Sequence, residues 1–428
     1  MIIVVGAGLA GCEAAWTAAE HGSRVLLIEQ KPIRYSPAHK SEKFAELVCS
    51  NSFKARRANS AAGLLKEEMR ALGSLTVECA YRTEVPAGGA LAVDREKFSD
   101  LVTEKIRSHP LIEIRSCEVT DIPHNDGPVI IATGPLTDGA LAEDISRLTG
   151  GYLHFHDAAS PIVTFASVDM SKAFFASRYG KGGDDYINCP FNKEQYEAFH
   201  EALIHAQSVE LHEFEKSDRD DFKVYEGCMP VEVLAKRGAD AVRYGTMKPV
   251  GLTDPNTGHR PWAAVQLRKE NEQGTLYNLV GFQTNLKFGE QKRVFSMIPG
   301  LENADFVRYG VMHRNSFINS PQLLFPDFSL RQDRNIFFAG QITGVEGYME
   351  SAASGIIAGL NAAGIKTVLP EYTMIGALSH YISDPDVKDF QPMGANMGIL
   401  PPLETEIRDK QMRYQAIVDR SLAYFRNH

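Results

Sequence analysis

The sequence predicts an α/β protein: a Rossmann-like domain built discontinuously from residues 1–165 and 325–428, with an α+β domain inserted over 166–324. Three observations predict it. The chain opens with an apolar run, a glycine-rich turn, an alanine-rich stretch and a second apolar run that ends in an acid. Residues 335–359, NIFFAGQITGVEGYMESAASGIIAG, return to the same style late in the chain. Between them, from about 165 to 325, the text turns polar and loses that pattern.

The elements follow in order. Residues 2–6 (IIVVG) read as a buried strand, and EAAWTAAEHG as a helix ending at Gly22. Arg24 to Glu29 is a second buried strand, which completes a β-α-β unit. Residues 61–72 read as a helix, and 110–118 and 128–132 as strands. In the middle, YGKGGDDYINCP and TDPNTGHRPW read as polar turns, NKEQYEAFHEALIHAQ as a helix and LYNLVGF as a strand. After FQPMGANMGILPP the chain ends in one amphipathic helix, ETEIRDKQMRYQAIVDRSLAYF.

Composition excludes several classes. The 428 residues are 44% hydrophobic and 23% charged, as expected of a globular protein with a large core. No apolar run approaches the ~18 residues of a membrane span, and the N-terminus lacks the basic start of a signal peptide. A cytoplasmic protein with no membrane contact is expected. Six scattered cysteines form neither a CxxC pair nor a metal cluster, so no metal site is expected. A net charge of −9 argues against indiscriminate nucleic-acid binding, although Lys54, Arg56 and Arg57 form a local basic cluster.

Gly6-Ala7-Gly8-Leu9-Ala10-Gly11 is a GxGxxG between a strand and a helix. Gly8 lets backbone approach a diphosphate, which sits on the free N–H groups of the helix N-terminus. Glu29 ends the second strand, where a carboxylate accepts from ribose hydroxyls. The later strand ending in Ala132-Thr133-Gly134 and the C-terminal AGQITGVEGY resemble two-dinucleotide-binding flavoproteins, which points to FAD. Gly340, Gly344, Glu346, Gly347 and Tyr348 then lie near the flavin ring, with Tyr348 stacking on flavin or pterin or serving as a core tyrosine.

Six segments together carry a closer resemblance: GAGLAGCEAAW, SPAHKSEKFAELVCSNS, GLLKEEMRALGSL, VPAGGALAVDR, YEGCMPVEVLA and GQITGVEGYMESAASG. The chain resembles the folate- and FAD-dependent tRNA (uracil-5-)-methyltransferase family from Ile2 to about residue 402. Ala166 and Gly394 depart from its pattern, standing where an acid and Asn are common. The resemblance implies transfer of a one-carbon unit from 5,10-methylenetetrahydrofolate to C5 of the T-loop uridine of tRNA, with NADPH or NADH as reductant. It places the uracil nucleophile on Cys228 and a flavin-side thiol on Cys49. A thiolate suits addition at uracil C6. Glu226 and Glu232 flank Cys228 and are candidates for proton transfer. Lys54, Arg56, Arg57, Arg178 and Lys181 are candidates for RNA contact. Three other readings share these features: the same chemistry on ribosomal RNA, FAD-dependent modification of a wobble uridine, and a flavin- and RNA-binding protein without methyl transfer.

Overall fold

The computed structural model describes residues 1–124, 126–180, 182–209 and 229–427. The first half gives β1 (Ile2–Val5), α1 (Leu9–Glu20), β2 (Val25–Glu29), β3 (Ser52–Ala55), α2 (Ala61–Ala71) and α3 (Leu75–Arg82). Then come β4 (Glu84–Val85), β5 (Ala90–Val93), α4 (Arg95–Ser108), β6 (Ile112–Ser116), β7 (Val129–Ile131), α5 (Gly139–Thr149) and β8 (Leu153–Ala158). The middle holds β9 (Ile162–Thr164), β10 (Phe174–Phe175), β11 (Tyr186–Phe191), α6 (Lys193–Ile204), α7 (Val231–Ala235) and α8 (Ala241–Tyr244). It continues with β12 (Ala263–Lys269), β13 (Leu276–Leu279), α9 (Phe288–Phe295), β14 (Phe306–Arg308), β15 (Met312–Phe317) and α10 (Ser320–Leu323). The chain closes with β16 (Ile336–Phe338), α11 (Tyr348–Ala362), α12 (Met374–Tyr381) and α13 (Lys410–Asn427).

Five parallel strands form the main sheet in the order β16-β7-β1-β2-β6. All four residues of β1 are buried, because helices cover both faces. The order reverses at β1, so the crevice beyond its C-terminal end is the place for a ligand. Two helices flank that crevice. A Cβ on Gly355 would lie 2.2 Å from Ala10 O, and one on Gly359 would lie 2.7 Å from Ala14 O. Only glycine allows this backbone contact between α11 and α1. The shared four-residue step makes the helices parallel, and both N-termini open on the crevice.

A second core gathers Val163, Ile187, Phe191, Phe199, Phe282 and Phe295, among others. It packs on an antiparallel sheet ordered β10-β11-β12-β13-β9-β14. The pair β8–β15 joins the two regions, with Leu153 opposite Phe317. A small sheet, β3-β5-β4, lies after the second strand of the main sheet.

Two expectations change here. The second half of YGKGGDDYINCP is strand β11, not a turn. Ile187, Cys189 and Phe191 face the core, while buried Asn188 is satisfied by the Ala176 carbonyl at 3.0 Å and Gln266 Nε2 at 2.9 Å. The C-terminal helix starts at Lys410 rather than at 404, because Asp409 Oδ1 accepts Met412 N–H at 2.8 Å and caps it. No helix among the described residues is long and apolar enough to cross a membrane.

Glu68 of α2 ties the C-terminal helices down. Its fully buried carboxylate accepts Met374 N–H at 2.6 Å, Ile375 N–H at 2.8 Å and Ser421 Oγ at 2.5 Å. Burial pushes its carboxyl up from 4.5 to about 7. The folded state then holds a proton that the unfolded chain releases between those values. This contribution to stability is complete below pH ~4.5 and gone above pH ~7, a difference of about 3 kcal/mol. Raising the pH from 5 to 8 is expected to lower the melting temperature of the wild type relative to Glu68→Gln. Thermal melts of both proteins across that range check it, and parallel pH profiles would refute it.

Candidate active site

The GxGxxG turn is built by steric fit. Gly6 has φ +99°, and a Cβ there would come within 2.6 Å of Ala132 O. A Cβ on Gly11 would sit 1.8 Å from Gly6 O, so that glycine lets α1 press on the turn. Gly8 differs: a Cβ there would meet nothing within 4 Å, and the residue faces the crevice. Among the described residues no side chain caps α1, which leaves its N–H groups to a ligand. Glu29 accepts Ala7 N–H at 2.7 Å and Lys31 N–H at 3.0 Å, so it braces the turn as well as lining the crevice. Leu9, Ala10, Thr133, Gly134 and Gly340 line the same space; Ala7 and Gly11 lie behind it. An open glycine cradle, a bare helix N-terminus and a strand-end carboxylate fit the diphosphate and ribose of a dinucleotide.

A second cavity of about 420 Å³ adjoins the first and shares Val48, Pro135, Leu136, Gln341 and Tyr348 with it. That volume lies within the ~300–1,000 Å³ range of small-molecule sites. Cys49, Ser50, Lys54, Arg268, Asn278, Gln283, Glu346, Gly347 and Glu350 are among its walls.

Cys49 lines the second cavity next to Val48 and Tyr348, which line both. The Tyr348 hydroxyl oxygen accepts Cys49 N–H at 2.9 Å and Ser50 N–H at 3.2 Å, and lies 2.9 Å from Cys49 Sγ. Two N–H groups occupy both lone pairs of the phenol, so its own proton points at the sulfur. Burial, then the neighbouring Cys49, holds the Tyr348 phenol well above its usual range, so it keeps that proton.

Residues distant in sequence clamp the Cys49 loop. Arg268 donates to Ser50 Oγ and Asn51 Oδ1, each at 3.0 Å. Asn51 donates to the carbonyls of Val93 at 2.9 Å and Lys269 at 2.8 Å. Arg308 donates to Val48 O, and Arg95, paired with Glu270, donates to Leu47 O at 2.6 Å. Buried Lys66 holds the Phe53 carbonyl at 2.8 Å, and burial lowers its ammonium to about 8. Asn51 lies within the VCSNS motif, Lys66 within GLLKEEMRALGSL and Arg95 within VPAGGALAVDR, whereas Arg268 and Arg308 lie in none of the six segments.

The remaining candidates divide. Lys54 pairs with buried Glu350 at 3.0 Å in the second cavity wall. Arg56 makes a forked pair with Glu84 at 2.9 and 2.6 Å, whereas exposed Arg57 makes no ion pair among the described residues. Arg178 keeps Nε and Nη2 buried with no hydrogen-bond partner among the described residues. The Gly88–Gly89 turn links Arg56 to the segment that holds Asp185: Arg56 N–H donates to Gly89 O at 3.0 Å, and Gly88 N–H to Asp185 Oδ2 at 2.7 Å. Gly344 lines neither cavity; a Cβ there would strike the Phe390 ring at 2.4 Å. Glu346 accepts Gln341 Nε2 at 2.8 Å.

Cys228, Glu226 and Lys181 lie outside the described residues. Glu232 is buried and accepts Thr284 Oγ1 and Asn285 N–H, both at 2.8 Å, so it pins a turn. Beside it, Val231 N–H donates to Gln283 O at 2.7 Å, and Gln283 lines the cavity that holds Cys49. Among the described residues no group of three or more His, Cys, Asp or Glu is placed to hold a metal.

The doubly wound sheet and its glycine crevice define a Rossmann-like FAD-binding protein. In crystals of Aquifex aeolicus GidA the same fold recurs, with a TM-score of 0.70, 16% identity, and coverage of 100% of this chain and 73% of that one. The chain belongs to the glucose inhibited division protein A family, matched over residues 1–367, and within it groups with the methylenetetrahydrofolate--tRNA-(uracil-5-)-methyltransferases TrmFO. The relative from Acetivibrio thermocellus is 57% identical over 100% of this chain and 98% of its own length. Those from Pelotomaculum thermopropionicum and Listeria monocytogenes are 58% and 55% identical, each over 98% of this chain and 96% of their own.

Proposed function

We propose that this cytoplasmic enzyme transfers a one-carbon unit from 5,10-methylenetetrahydrofolate to C5 of the T-loop uridine of tRNA, forming 5-methyluridine. The observation that carries this reading is the Cys49 thiol in the second cavity, held by Tyr348, a residue that also lines the dinucleotide crevice. The names of the full-length relatives support the folate donor and the tRNA substrate. Residues 1–165 and 325–428 act as the FAD-binding domain, and 166–324 as the inserted domain.

Gly8 and the α1 N-terminus hold the diphosphate, and Glu29 the ribose. Thr133, Gly134, Gly340 and Gly347 give the cofactor close backbone approach. FAD, when bound, supplies electrons obtained from NADPH or NADH to bring the one-carbon unit to the methyl level. Cys49 presents its sulfur to that unit, with the Tyr348 hydroxyl donating a hydrogen bond to Sγ. Cys228 adds through sulfur to uracil C6, and the displaced electron pair makes C5 nucleophilic. After C5 gains the carbon, it loses its proton to a base, for which Glu226 is the candidate, and the S–C6 bond breaks. Arg57, Arg178 and Lys181 contact RNA phosphates, with Lys54 and Arg56 at the inner edge.

Cys228→Ala is expected to form no detectable 5-methyluridine on a tRNA transcript supplied with methylenetetrahydrofolate and reduced nicotinamide. A normal rate would remove Cys228 as the nucleophile. Ribosomal RNA assayed in parallel tests the substrate: methylation confined to it would overturn the tRNA assignment.

A further inference from the structure

We propose that Phe288, Tyr309 and Phe306 form a platform on which an unpaired base of the substrate RNA stacks beside the second cavity. The proposal rests on the tRNA reading above. Phe288 and Tyr309 stack with ring centroids 5.1 Å apart and planes at 21°; Tyr309 and Phe306 follow at 5.6 Å and 14°. The buried pairs Phe191–Phe199 and Phe282–Phe295 instead meet at 54° and 77°. Three rings thus follow one another near-parallel, and the end ring, Phe288, is 55% exposed.

Position and charge select the occupant. Phe306 lies on β14, the edge strand of its sheet, and Tyr309 just follows it. Arg308, between them, donates to Val48 O, the residue before Cys49. The rings therefore stand next to the clamp on the reactive loop. Lys292 is exposed and shares a helix face with Phe288 at i+4, and exposed Lys287 precedes the helix. A flat aromatic face flanked by ammonium groups suits a base and its phosphate. A uridine drawn out of a folded loop leaves neighbours unstacked, and such a face restores their stacking.

The test is tRNA binding by the FAD-loaded full-length protein, read by anisotropy with an unmodified transcript. Phe288→Ala is expected to raise Kd and KM about 5- to 100-fold. Its kcat at saturating tRNA and its flavin absorbance should hold, and Phe288→Tyr should bind within twofold of wild type. Unchanged binding by Phe288→Ala would overturn the platform, as would a change confined to self-association in sedimentation. A wild type that neither binds nor methylates tRNA would instead overturn the underlying assignment, so the two failures are separable.

Discussion

Tyr348→Phe is expected to slow 5-methyluridine formation about 100-fold or more while the protein stays yellow. The substitution removes one oxygen and with it three interactions: Cys49 N–H and Ser50 N–H lose their acceptor, and Cys49 Sγ loses its proton donor. A buried donor left unsatisfied costs ~1–3 kcal/mol, and each ~1.4 kcal/mol in a barrier is tenfold in rate. The ring itself remains, packed edge-on against Phe53 at 5.9 Å, so the cavity wall persists. Single-turnover methylation of a tRNA transcript gives the rate, and flavin absorbance gives occupancy. A rate within threefold of wild type would sink the role given to the phenol.

Gly8→Val is expected to give a folded, colourless protein, whereas Gly11→Ala should fail to fold. The two glycines are three residues apart and differ only in what a side chain would meet. Gly8 has an ordinary φ of −73° and open space before it, so valine fits the chain and fills the place of the diphosphate. The Gly11 Cβ would overlap Gly6 O at 1.8 Å, so even one methyl pries α1 from the turn. For Gly8→Val, FAD affinity should fall at least about 100-fold, consistent with losing most of the anion contacts. Its melting temperature should match that of wild-type protein stripped of flavin. A yellow Gly8→Val would refute the cradle; a stable Gly11→Ala would refute the packing argument.

The opening β-α-β unit was legible because its constraints are local. Apolar runs, spaced glycines and a strand-end acid lie within thirty residues, and the structure places them as expected. Gly344 was legible only in part: a Cβ there would strike the Phe390 ring at 2.4 Å, a packing constraint that no local spacing records. YINCPF was hidden because its polar Asn188 is satisfied only by partners on neighbouring strands. The basic cluster looked uniform as text, yet Lys54 and Arg56 are committed to Glu350 and Glu84, and Arg57 is not.

The sequence by itself determined the dinucleotide crevice, the motif around Cys49 and, through its long motifs, the family. Each depends on near neighbours in the chain, where period and spacing record the geometry. Tertiary structure alone decided how Cys49 is held. Tyr348 comes from the far end of the chain and Arg268 and Arg308 from strands of the antiparallel sheet, and no local pattern links them. Their meeting depends on two cores packing against one loop, a constraint that acts through space and leaves no spacing to read.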